Sequence, residues 1–148
     1  MMNKRKIYFF TALALTLGSL LLLVTGSSIL TTALDSTNSV PLGTFITWIG
    51  LFSLPMTLFL GAREMRKPSR RIYKILSVIL KTITVLAILW VPISYLLAGN
   101  ISFTFTEKEE FQGGQEAMRL FWRFTYGIVI GTIGTLLAYW ISLIVKKK

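Results

Sequence analysis

The sequence predicts an all-α membrane protein, a four-transmembrane-helix bundle with both termini cytoplasmic. Three observations predict it. The mean hydropathy of +0.67 is too high for an ordinary water-soluble domain of 148 residues. Four stretches reach the roughly 20 apolar residues that a helix needs to cross a hydrocarbon core of about 30 Å. Lys and Arg gather at alternate ends of those stretches, the pattern that cytoplasmic loops impose. The whole chain, residues 1–148, reads as a single membrane domain.

The first span covers about residues 7–30 and the second about 41–62, where Pro41 suits a first helical turn. Neither contains a charge. The third, about 75–99, contains Lys81, and the fourth, about 120–145, contains Arg123. A cleaved signal peptide is the competing reading of the N-terminus, but the apolar run from Ile7 to Val24 is longer than a usual signal core and no small-residue cleavage site follows.

Orientation follows from the basic residues. Lys4, Arg5 and Lys6 precede the first span, a basic loop 63–74 joins the second to the third, and Lys146, Lys147 and Lys148 follow the fourth. Only Glu64 opposes them on that side. The other side holds Asp35 and an acidic outer loop, 100–119. Topology therefore absorbs nearly all of the +10 net charge, and no nucleic-acid partner is needed to explain it. Anionic lipid on the cytoplasmic side is the expected partner of Arg66, Lys67, Arg70, Arg71 and Lys74. The overall pattern fits a multi-pass protein of a bacterial cytoplasmic (inner) membrane.

Within this frame several residues stand out. Ser69 is placed to cap a helix whose face carries Arg70, Lys74, Ser77 and Lys81. Lys81 falls near the inner edge of its span, where it can snorkel to lipid phosphate or act as an intramembrane charge. Arg119 and Arg123 are four apart and share a face, suited to outer head groups, Glu116 or a partner's acid. Gly127 and Gly131 form a GxxxG, and with Gly134 they offer a helix-packing seam, within the bundle or toward another chain. Pro55 predicts a bend in the second span, with Thr47, Ser53 and Thr57 nearby. Trp90, Tyr95, Trp122, Tyr139 and Trp140 suit interfacial belts, whereas Trp48 lies deeper.

The outer loop has the most individual character. Ile101, Phe103 and Phe105 alternate with Ser102, Thr104 and Thr106 in a short strand-like pattern, followed by Glu107, Glu109 and Glu110 and the turn Gly113–Gly114. Phe103, Phe105, Glu107, Glu109 and Glu110 form the candidate partner loop.

Histidine and cysteine are both absent, which removes imidazole acid–base steps, thiolate chemistry, disulfides and the usual transition-metal ligands. No carboxylate falls inside a span, so no catalytic, cofactor or metal residues are assigned. The expected function is non-catalytic binding, as an accessory or assembly subunit or an immunity-type protein. A small homo-oligomeric channel or transporter is the alternative, with Lys81 and Arg123 as its natural charges.

Overall fold

The computed structural model describes residues 4–34, 40–99 and 114–146. Among these the chain is 89% helical, with no strand. α1 (Lys4–Thr25) and α2 (Leu42–Gly61) are followed by a single-turn α3 (Arg63–Arg66), then α4 (Arg71–Ile88), α5 (Trp90–Ala98) and the 33-residue α6 (Gly114–Lys146). α1, α2 and α6 are each long and apolar enough to cross a membrane, and α4 with α5 makes a fourth candidate crossing if the bent pair is one span. The outward faces are correspondingly apolar, from Leu21 and Val24 on α1 to Ile144 and Val145 on α6, which suggests lipid as the solvent.

α1 ends earlier than the hydropathy predicts because Gly26 adopts φ +60° and stops it. The Ser27 amide donates to Leu22 O (3.2 Å) and the Gly26 amide to Leu23 O (3.4 Å), the paired bonds of a Schellman stop. A 3-10 turn, Ser28–Thr31, continues the apolar run and buries Leu30. Two backbone bonds then close the connection: Leu34 N–H to Val40 O and Leu42 N–H to Thr32 O, each 2.8 Å.

α2 runs through Pro55 as one helix. The sharp bend lies elsewhere, at Leu89, where α4 and α5 meet at 57°. Pro92 explains it. Lacking an amide proton, it cannot bond the Ile88 carbonyl four residues back, and its ring crowds that oxygen. As the third residue of α5 it sits in a first turn, where the missing donor costs least.

α1 and α2 run antiparallel, as do α4 and α6. Gly50 of α2 meets Ser19 of α1 while Gly61 meets Phe9, and Tyr73 of α4 stacks edge-on to Tyr139 of α6 while Ile83 meets Gly131. The N-terminus of α1, the α2–α3–α4 connection and the C-terminus of α6 therefore share one end, the basic end. Two apolar cores lie between α2, α4 and α6. Ala62, Met65, Tyr73, Leu76 and Leu80 fill the one nearer the basic end; Leu51, Ile83, Ala87, Trp90, Phe121 and Ile128 fill the other. α1 packs along α2 and buries only Ala12 and Ser19.

Candidate functional site

The basic connection folds differently from its sequence pattern. Ser69 does not cap α4. Arg70 holds that position, and Ser69 donates both its amide (3.0 Å) and its hydroxyl (2.7 Å) to Glu64, the acid among the basic residues. The polar face expected along α4 also divides. Lys74 and Lys81 are exposed, but Ser77 turns inward and donates to Met65 O at 2.6 Å, tying α3 to α4. A carbonyl near a helix end recruits the nearest hydroxyl, and that overrides spacing along the surface. Lys67, Arg70 and Arg71 are exposed, whereas Arg66 is half-buried with its Nε enclosed. Lys81 Nζ sits 5.9 Å from the centre of the Phe59 ring, within cation–π range and two residues from the basic end of α2.

Trp48, unexplained in sequence, holds the α4–α5 bend. Its indole Nε1 donates to Ala87 O (3.0 Å) and to Ile88 O (3.2 Å), the carbonyl that Pro92 leaves without its helical donor. A stranded carbonyl in an apolar interior costs about 1–3 kcal/mol, so the indole stabilises the bent form. Trp90, just past the break, is no belt residue. It is 1% exposed, packs on Phe121 and donates to Thr125 Oγ1 at 2.9 Å. Pro92 and a Trp on the facing helix are the signals that could have located this junction.

On α6 the three glycines differ in their surroundings. A Cβ on Gly131 would lie 2.9 Å from Ile83 Cδ1, so α4 and α6 approach closely there. A Cβ on Gly127 or Gly134 would meet nothing within 4 Å. Arg119 and Arg123 are exposed, and with Trp122, Tyr126, Gly127 and Ile130 they line a shallow groove of about 630 Å³. Trp122 and Tyr126 stack at 5.4 Å within it. The outward face continues through Gly134, Leu137 and Ile141 to Ile144. The candidate partner loop, Phe103, Phe105, Glu107, Glu109 and Glu110, lies outside the described residues.

A second concavity opens between α1, α2 and α6. It consists of two adjacent chambers, about 370 and 230 Å³, that share Thr16, Leu54 and Ile133 in their walls. Thr16, Thr57 and Thr132 line it, Ser53 bonds Thr16 from outside the lining, and these four hydroxyls are engaged. Thr57 donates to Ser53 O (2.8 Å), Thr132 to Ile128 O (2.8 Å) and Ser53 to Gly50 O (3.2 Å), while Thr16 lies 2.9 Å from Ala12 O and 3.0 Å from Ser53 Oγ. Thr82 and Thr84 of α4 line neither chamber.

No protein family, curated protein or solved structure matches this chain.

Proposed function

We propose that this chain is a small non-catalytic membrane protein that acts by binding another membrane protein, as an accessory or assembly subunit or an immunity-type protein. In this reading four crossings form a bundle in a bacterial cytoplasmic membrane, with both termini and the basic connection facing anionic lipid on the cytoplasmic side. The observation that carries it is the outward face of α6. That face runs from Arg119 and Arg123 past Tyr126, Ile130 and Gly134 to Ile141, while the opposite face of the helix supplies the internal core. Gly134, open to its surroundings, allows a partner helix close approach, and the two arginines supply charge at the outer end.

A second reading, a homo-oligomeric channel or transporter, draws support from the broken α4–α5 element, since discontinuous helices often line transport sites. Purification of the tagged protein from its native membrane in mild detergent, with native mass and co-purifying proteins determined together, separates the two. The binding reading expects a stoichiometric foreign partner that is lost in Gly134→Trp. A partner-free oligomer would reject it in favour of the channel, with Lys81 and Arg123 as the next residues to change.

A further inference from the structure

We infer that the cleft between α1, α2 and α6 is a binding site for one acyl chain of an anionic phospholipid, whose head group lies at the basic end. The inference rests on the cleft itself and is independent of the protein-partner reading.

Size selects the occupant. The lining runs from Phe9 to Leu23 on α1, about 21 Å at 1.5 Å per residue. A helix about 10 Å across displaces roughly 1,500 Å³ over that length, about two and a half times the 370 and 230 Å³ of the two chambers together, so it could enter only in part. An acyl chain, whose width is set by carbon contacts at about 4 Å, displaces roughly 300 Å³. Half a hydrocarbon core is about 15 Å thick, so a chain from one leaflet fits within the lined length.

The chemistry of the wall agrees. Along this lining the hydroxyls of Thr16, Thr57 and Thr132 are held in bonds along and between helices, the Thr47 hydroxyl is buried without a hydrogen-bond partner, and the accessible wall of the inner chamber is wholly apolar. The inner chamber therefore offers a polar substrate no accessible polar surface.

Charge distinguishes the head group. The wider chamber opens at Phe9, Gly61, Ala62, Tyr139 and Trp140. Lys6 lies one turn before Phe9 and Arg63 directly follows Ala62, both exposed. Tyr139 and Trp140 are the aromatic types that settle at head-group level. Basic residues around an interhelical pocket are the arrangement that retains anionic head groups.

The test is native mass spectrometry of the full chain released from vesicles of equal phosphatidylglycerol and phosphatidylcholine. One retained phosphatidylglycerol is expected. Retention should fall at least tenfold in Ile133→Trp, which fills the wall shared by both chambers, and roughly fivefold in either Lys6→Glu or Arg63→Glu. Equal retention of the two lipids, or undiminished retention in Ile133→Trp, would overturn the inference. Should Ile133→Trp not fold, the unaltered protein carries the test: phosphatidylglycerol with a photoreactive chain should label residues 13–16, 54–58 and 132–136. Labelling spread evenly over all outward faces, or a protein helix cross-linked into the cleft, would sink it.

Discussion

α1 and the α4–α5–α6 side of the molecule are similarly apolar in sequence yet differ in what holds them. α1 buries two small residues, Ala12 and Ser19, against α2 and turns Leu20, Leu21 and Val24 outward. The other side buries Tyr73, Leu80, Ile83, Trp90 and Phe121 in two continuous cores and ties its bend with indole hydrogen bonds. Lipid is as apolar as leucine, so burial alone does not draw membrane helices together, and close packing and interhelical bonds decide. By that measure α1 is held as well, through Ser19 against Gly50 and the Thr16–Ser53 bond, so hydropathy counts candidate crossings but does not say by what means each helix is held.

The largest test of this contrast is Trp90→Ala, which removes a buried ring and its bond to Thr125. It should cost about 3–5 kcal/mol in a detergent unfolding titration, and a loss below about 1 kcal/mol would erase the distinction between the two sides. Gly131→Leu comes next. Its side chain collides with Ile83, and overpacking of this kind costs about 1–3 kcal/mol. Gly127→Leu, four residues away in the open, should stay within about 0.5 kcal/mol, and equal penalties for the pair would contradict the geometry at both.

Trp48→Phe should cost about 1 kcal/mol, in the range of interhelical hydrogen bonds in membranes. It should also widen the distribution of distances between spin labels placed on Leu86→Cys and Leu96→Cys, a design simplified by the absence of native cysteine. An unchanged distribution would show that Pro92 alone sets the bend. The smallest effect is expected on α1, where Leu20→Ala faces outward and should shift stability by no more than about 0.5 kcal/mol.

How far the sequence anticipates the structure varies by element. Helix existence was legible from length and hydropathy, because an apolar run of this length leaves the backbone little choice in a membrane. Helix ends were less so. Hydropathy continues past Thr25 although Gly26 and the serines after it stop the helix, and α6 begins at Gly114, before its apolar run does. The two prolines show the limit most clearly. Pro55 and Pro92 each remove the same kind of backbone bond, yet the sharp break accompanies Pro92, where a facing indole donates to the carbonyl left open. Trp48 lies 39 and 40 residues from the carbonyls it bonds, so no local pattern could have paired them. Ser77 and Trp90 failed their expected surface roles for the same reason: each is claimed by a partner on another helix.

The length of α6 has a consequence of its own. Its 33 residues span about 50 Å, against a hydrocarbon layer of about 30 Å. A helix so mismatched tilts or projects beyond the layer, and the surplus falls where the sequence can tolerate water. Gly114–Arg119 is the polar end of α6, so a surplus at that end would carry Arg119 clear of the apolar run, while Arg123 lies within its first turn. A change of length at this end of α6 would alter how far the helix reaches beyond such a layer while leaving in place the buried face that packs on Ile83 and Trp90.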